Sequence, residues 1–328
     1  MADPRVTIAV LFGGRSGEHE VSRRSAESVL AALDPARYDA VPVEIDRDGR
    51  WRVGDRSLGV FAALEALRAV DVAFPVLHGP YGEDGTVQAA LQSAGIPFVG
   101  NGVLASAVGM DKEYTKKLLS ANGMAVADGE VLHAPDDSVP AHRRAVLGLP
   151  VFVKPARAGS SVGVSKVDSW GELGAAVRRA RQADGKVLVE RAVPGREIDV
   201  GVLELPSGEL VAGPPLEIGV EGRGFFDFAA KYTDRAAVFT VPAVLPDHVA
   251  AHLRDLAVRA FRVLGCRGLL RVDFLLGDGD EPVVNEVNTM PGFTTASQYP
   301  RMWRAAGLDY PALVDALVET ALRQATVH

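Results

Sequence analysis

Residues 268–276 read GLLRVDFLL and residues 281–293 read EPVVNEVNTMPGF. Between the two apolar runs lies Gly277-Asp278-Gly279-Asp280, a sequence suited to a hairpin turn. Glu286 and Asn288 are two residues apart on a strand and point to one face. A hairpin that pairs Asp273 with Glu286 also pairs Arg271 with Asn288, so all four share a patch. Two carboxylates and an amide on one sheet face suit a hard cation such as Mg²⁺, which takes oxygen ligands and is commonly bridged to phosphates. Single carboxylates in strands are usually solvated, and a polar face on an antiparallel sheet is ordinary. Here, however, Asp273 is flanked by Val272 and Phe274, and Glu286 lies in an otherwise neutral run. An unpaired buried charge is costly, and coordination of a metal relieves it. A metal–nucleotide enzyme is the first expectation.

The rest of the chain is read outward from this hairpin. Its 328 residues imply two or three domains, with 48% apolar and 23% charged residues, as in an ordinary globular protein. A net charge of −7 argues against a general nucleic-acid binder and gives no reason to expect an anionic membrane partner. The lone cysteine, Cys266, excludes an internal disulfide and reads as a small buried hydrophobe. The apolar run from Val6 to Phe12 is strand-length and ends in glycines rather than a cleavage site, so the cytoplasm is the expected compartment.

The first hundred residues alternate strand and helix signals. Strands are expected at 6–12, 38–45, 72–77 and 96–99. Helices are expected from Ser22 as cap to Leu33, at 61–67 and at 84–94. This pattern is an α/β unit with an open, mostly parallel sheet. Ligands bind such sheets beyond the carboxyl ends of the strands, here the loops 13–20 and 78–85. Helices follow around 103–121, then strands at 151–154, 162–167 and 187–191, with a helix at 169–182. Strands at 198–205 and 210–218, a helix at 246–264, the hairpin and a helix at 310–323 complete the chain. The expected domains are 1–102, 103–193 and 194–328.

Lys154 precedes a Gly/Ser loop, Ala158-Gly159-Ser160-Ser161-Val162-Gly163, whose backbone N–H groups can approach phosphates. It departs from the Walker A pattern, and a plain surface turn fits equally well. Glu190 to Glu197 ends a strand and turns at Pro194-Gly195. Its backbone groups suit an adenine edge and Glu197 suits ribose hydroxyls, although a plain linker fits the spacing too.

Eight motifs in order resemble one family. They are LFGGRSGEHEVS (11–22), PVLHGPYGEDG (75–85), MDK (110–112), VKPARAGSSVG (153–163), the 190–197 segment, AAKY (229–232), RVDF (271–274) and NEVNTMPGFT (285–294). Nearly the whole chain is similar to the D-alanine–D-alanine ligase family of the ATP-grasp superfamily. The resemblance implies an α+β ATP-grasp fold of three domains and ATP-dependent joining of two D-alanines for peptidoglycan precursors. It implies two Mg²⁺ ions held by Asp273, Glu286 and Asn288, with Mn²⁺ able to substitute, and a homodimer. Lys112 and Lys154 would meet ATP phosphates, Glu190 and Val193 the adenine, and Glu197 the ribose. Lys231 would reach the γ-phosphate from a mobile loop at 219–235, in which Phe225 is grouped with the nucleotide contacts. Glu18 would anchor the first D-alanine's ammonium beside His78, with Ser160 and Tyr232 linked to Glu18. Arg271 and the Gly292 N–H would stabilise the oxyanion, and Ser297 would bind the second carboxylate.

Three positions depart from the family's usual pattern. Phe226 and Phe228 replace tyrosines, and Gln298 stands where an apolar residue is usual. An amide there opens the acceptor site toward D-serine. A D-alanyl–X ligase of an antibiotic or self-resistance pathway and an inactive nucleotide-binding regulator are the alternative readings.

Overall fold

The computed structural model describes residues 5–136, 138–220, 237–277 and 281–325. Three sheets organise them. In the first, Val6–Gly13 lies between Tyr38–Ile45 and Val72–Pro75, parallel to both. Ile8, Ala9, Val10 and Leu11 are all fully buried. A continuous apolar run is what a parallel strand covered on both faces requires. An antiparallel hairpin of Trp51–Val53 and Arg56–Leu58 extends the edge, a feature the sequence reading did not include. The strand expected at 96–99 is reduced to a single bridge between Ala73 and Phe98.

Ser22 is not a helix cap. The helix begins three residues earlier, spanning His19–Ala32 with Glu18 at the cap position. The Ser22 hydroxyl instead accepts from the Gly13 N–H at 2.8 Å and donates to the Val76 carbonyl. Because the two strand ends satisfy this hydroxyl, it is drawn inside the helix and ties loop to loop.

The second sheet runs Gly129–Leu132, Val187–Arg191, Val151–Pro155, Ser165–Val167, all antiparallel. The strand expected at 162–167 loses its first half. Ser160 and Ser161 take positive φ (49° and 56°), Gly163 follows at 74°, and Val162 is 56% exposed. A left-handed run of this kind cannot enter a ladder.

In the third sheet Arg196–Glu204 and Leu269–Leu276 lie side by side, Asp199 opposite Asp273 and Gly201 opposite Arg271. Leu269–Leu276 then pairs with Pro282–Asn288, and Arg271 meets Asn288 while Asp273 meets Glu286, the register that the alternation of side chains predicts. A bulge follows Asp273: Phe274 pairs with Val284, and Asn285 is the extra residue. The strand expected at 210–218 is two, Leu210–Ala212 and Leu216–Val220, separated at Pro214-Pro215 because proline cannot donate to the ladder. Ile198, Val200, Val202, Leu270, Val272 and Phe274 point to the core beneath helix Asp247–Val263. The intervening residues point to the opposite face. That alternation delivers Asp199, Arg271 and Asp273 to one side. Cys266 is buried in this core, and burial pushes its thiol up to about 12.

The chain's end returns to its beginning. Helices Gln298–Ala305 and Tyr310–Ala325 pack on the first sheet, where Tyr299, Trp303, Leu313 and Leu317 join Ile8, Val10 and Phe74 in one core. Phe293 stacks edge-on to Phe74 at 5.9 Å and lies 5.7 Å from Tyr310. Each such buried side chain contributes about 1.5–3 kcal/mol. This packing brings the loop 289–297 against the loop 78–85 and the helix His19–Ala32.

Candidate active site

Two adjoining cavities occupy the seam between the sheets. The larger, about 660 Å³, runs along the second sheet and is lined by Phe152, Lys154, Val193, Glu197 and Leu275. The smaller, about 390 Å³, is lined by Glu18, His78, Arg271, Asp273, Asn288 and Gln298. Lys112, Ser160 and Glu286 line both and mark the junction.

Lys112 stands at the start of helix Lys112–Ala121, where Asp111 caps the backbone N–H groups of Glu113 and Tyr114. Asp111 is itself held by Lys186 at 2.6 Å. So anchored, Lys112 Nζ donates to the Ala158 carbonyl at 2.7 Å and lies 3.2 Å from Glu286. It links the Gly/Ser loop to the carboxylate face.

Lys154 rises from the second sheet and pairs with Glu190 at 2.7 Å, with Asn285 Oδ1 a further 3.3 Å contact. The bulge at Asn285 makes that contact available. Glu190's other oxygen faces Lys116 at 2.5 Å. Burial pushes Glu190 up, but the two lysines outweigh it and hold the carboxyl below its usual range. Burial is also the main influence on the lysines: it takes Lys116 down to about 8, whereas Glu190 and Glu286 keep Lys154 above its ordinary value. Two ammonium groups sharing one carboxylate leave this wall of the larger cavity net positive. Glu190's side chain is thereby occupied by the two lysines. Lys116 escaped the sequence reading, although it is one helical turn beyond Lys112.

On the third sheet, Arg271 grips Asp273 in a fork, Nε to Oδ1 at 2.6 Å and Nη2 to Oδ2 at 2.7 Å. Asn288 Nδ2 adds a 3.0 Å bond to Asp273 Oδ2. Burial pushes the Arg271 guanidinium down, but Asp273 and Asp199 outweigh it and raise its affinity for the proton. Arg271 Nη1 also donates to Gln298 Oε1 at 3.0 Å. Among the described residues no group of three or more His, Cys, Asp or Glu side chains is arranged to hold a metal. The candidate set is two carboxylates and one amide, which suits a hard cation that completes its shell with phosphate oxygens and water.

Glu18 faces the smaller cavity and accepts from Ser160 Oγ at 2.5 Å. A Cβ on Gly79 (φ 73°) would lie 2.8 Å from Glu18 Oε2, so only glycine lets that loop press on the carboxylate. His78 is buried; its Nδ1 donates to the Met290 carbonyl at 3.0 Å and its Nε2 accepts from Ser25 Oγ at 3.1 Å. Burial lowers the ring's affinity for a proton. Ser25 accepts in turn from the Phe293 N–H at 3.3 Å, and Glu83 accepts from the Met290 N–H at 3.1 Å. Loop 290–293, which carries Gly292, is thus pinned at three points by residues within 25–83. Ser25 and Glu83 were not among the sequence-derived candidates, because nothing local marks a contact more than 200 residues away. Ser297 lies beside Gly292, its hydroxyl engaged with the Thr294 N–H at 3.1 Å and the Thr294 hydroxyl at 2.8 Å. Phe225, Lys231 and Tyr232, with the rest of 221–236, lie outside the described residues.

An antiparallel four-stranded sheet and a larger sheet enclosing a lysine-lined cleft, with paired carboxylates on the closing face, define an ATP-grasp fold. Family models for the D-ala D-ala ligase N-terminus and C-terminus match residues 7–101, in two overlapping segments, and 118–319. The D-alanine–D-alanine ligase of Mycolicibacterium smegmatis is 52% identical over 98% of this chain and 97% of its own length. That of Mycobacterium tuberculosis is 52% identical over 98% and 96%. Among solved structures, the VanG D-Ala:D-Ser ligase of Enterococcus faecalis superposes with a TM-score of 0.88 at 35% identity, covering 97% of this chain and 100% of its own. The Bacillus anthracis D-alanine–D-alanine ligase complexed with ATP gives 0.82 at 30%, covering 98% and 99%. The chain belongs to the D-alanine–D-alanine ligase family.

Proposed function

We propose that this protein joins two D-alanine molecules into D-alanyl-D-alanine at the expense of ATP, for peptidoglycan synthesis. The observation that carries the reading is the junction of the two cavities, where Lys112 and Glu286 meet between a lysine-lined cleft and the Arg271/Asp273/Asn288 face. ATP lies in the larger cavity, its adenine against the backbone of 190–193, its ribose by Glu197 and its phosphates toward Lys154 and Lys112. D-Alanine lies in the smaller one, its ammonium at Glu18.

The first D-alanine's carboxylate attacks the γ-phosphate, giving an acyl phosphate and ADP. The second D-alanine's amine then displaces phosphate. Such transfers need positioning and charge neutralisation rather than a nucleophilic side chain. Lys112 and Lys154 supply positive charge along the phosphates. Arg271 and the Gly292 N–H face the developing oxyanion, and Ser297 holds the second carboxylate. Asp273, Glu286 and Asn288 would hold Mg²⁺, or Mn²⁺ in its place, which would supply positive charge to offset that of the phosphates. An acyl phosphate hydrolyses when wet, so the reaction needs water kept from the site; Lys231, Tyr232 and Phe225, proposed as further contacts to ATP and Glu18, lie outside the described residues.

Domain borders near 102 and 193, a cytoplasmic location and a homodimer are part of the same proposal. Among the described residues no helix is long and apolar enough to cross a membrane. D-Alanine is the default acceptor. A D-serine-accepting variant is the second reading, supported by Gln298, which lines the smaller cavity and is fixed by Arg271. The test is product identification by mass after incubation with ATP, Mg²⁺ and mixed D-amino acids. D-Alanyl-D-alanine with stoichiometric ADP supports the reading, and ATP left intact contradicts it.

A further inference from the structure

Asp199 is fully buried on strand Arg196–Glu204, directly opposite Asp273 on the neighbouring strand. It points to the polar side of the sheet, because Ile198 and Val200 on either side enter the core beneath helix Asp247–Val263. Its Oδ2 lies 3.4 Å from Arg271 Nε, the same nitrogen that donates to Asp273 Oδ1 at 2.6 Å. One guanidinium therefore lies between two carboxylates. The two are not equivalent. Asp273 lines the smaller cavity, whereas Asp199 lines neither.

This asymmetry has a chemical use. Both Asp273 oxygens are taken by Arg271, and Oδ2 also by Asn288. A carboxylate so engaged is a poor ligand for a cation until the arginine loosens its hold. An arginine that let go of Asp273 with no second carboxylate against it would be left with a poorly compensated charge away from water, at high cost. We propose that Asp199 is a positioning residue: it retains Arg271 at the site while Asp273 turns its oxygens toward a divalent cation. Asp199 acts through Arg271 and touches neither substrate nor metal. The inference rests on the metal-dependent reading above.

The test is Mn²⁺ affinity, measured by electron paramagnetic resonance on the full chain with ADP present, for the native protein and Asp199→Asn. The substitution keeps shape and removes charge. The expected result is about tenfold weaker Mn²⁺ binding, about 1.4 kcal/mol, with metal-free ADP affinity within about twofold. In an Arg271→Met background, Asp199→Asn is expected to change Mn²⁺ affinity by less than about twofold. Unchanged Mn²⁺ affinity in the folded single variant, or equal loss in both backgrounds, overturns the proposal. Should Asp199→Asn fail to fold, the melting temperatures of Arg271→Met and the double variant decide. A double variant that melts higher supports the pairing, since it removes a buried charge that has lost its partner, and one that melts lower overturns it. A native chain that takes up no Mn²⁺ beside ADP contradicts the metal reading itself, a failure separate from that of Asp199.

Discussion

His78 holds the Met290 carbonyl at 3.0 Å across 212 residues of sequence. With Ser25 on Phe293 and Glu83 on the Met290 N–H, it fixes the loop that presents Gly292. Ser25→Ala removes the acceptor for Phe293 and the donor to His78. Leaving buried polar groups unsatisfied costs about 1–3 kcal/mol. The expected outcome is a lower melting temperature and a reduced kcat for D-alanine, with KM for ATP within about twofold. Steady-state kinetics with each substrate varied checks it; a rise confined to KM for ATP would contradict the loop's assigned role.

Glu83 gives this clamp a pH signature. Burial, which outweighs its two backbone N–H donors, pushes the carboxyl up to about 7 from the usual 4.5. An acid whose folded value is raised stabilises the fold fully below its unfolded value and loses that contribution as pH climbs through the folded one. The window is therefore pH 4.5 to 7, and the effect is roughly 3 kcal/mol. Glu83→Gln does not titrate. Relative to Glu83→Gln, the native chain is expected to lose urea stability steadily from pH 4.5 to 7 and to hold a constant difference above about pH 8. A difference independent of pH would show that Glu83 does not hold its proton more tightly in the folded chain.

Arg271 cannot be exchanged for lysine without loss. Its fork on Asp273 uses two parallel N–H donors while a third bonds Gln298, and a lysine ammonium is a point charge without that geometry. Loss of one oxyanion donor lowers kcat by about 10²–10³. Arg271→Lys is expected to fall in this range, while ATP still quenches or shifts an environment-sensitive probe as in the native protein. Activity within about threefold of native would remove Arg271 from the proposed chemistry.

Gln298 is the position proposed to set acceptor choice. Its amide oxygen is fixed by Arg271 and the side chain lines the smaller cavity. Gln298→Leu is expected to shift competition between D-alanine and D-serine toward D-alanine by about tenfold or more, since an apolar pocket rejects an added hydroxyl by up to about 10². Ratios of mixed dipeptide products by mass spectrometry give the answer, and an unchanged ratio refutes the role.

The fold's framework was legible where side-chain periodicity and turn chemistry agreed. The pairing of Asp273 with Glu286 and of Arg271 with Asn288 follows from alternation on the two strands, although the hairpin turn expected between them falls on 278–280, outside the described residues. The bulge at Asn285 does not, because an extra residue leaves no mark on composition. Ser22 was misread because a serine before an apolar helical pattern looks like a cap, whereas its hydroxyl is satisfied by the ends of two strands. Asp199 was hidden inside an apolar strand, where a carboxylate gains meaning only once Arg271 is known to lie across the ladder. Ser25 and Glu83 owe their roles to the return of the C-terminal helices onto the first sheet, a tertiary fact with no local signature. The nucleotide and carboxylate motifs were readable because glycines, lysines and acids of one site recur in short runs.

We propose that Asp273, Glu286 and Asn288, on one face with Arg271, would hold a divalent ion against the ATP phosphates during ligation of D-alanine. Phosphate release with ATP and D-alanine tests it most directly, measured with Mg²⁺, after chelation, after Mg²⁺ is restored, and in Asp273→Asn/Glu286→Gln. The account predicts release that stops on chelation, returns with Mg²⁺ and is lost in the double variant even though the chain stays folded. Release that continues in chelator, or at native rate in the double variant, would contradict it.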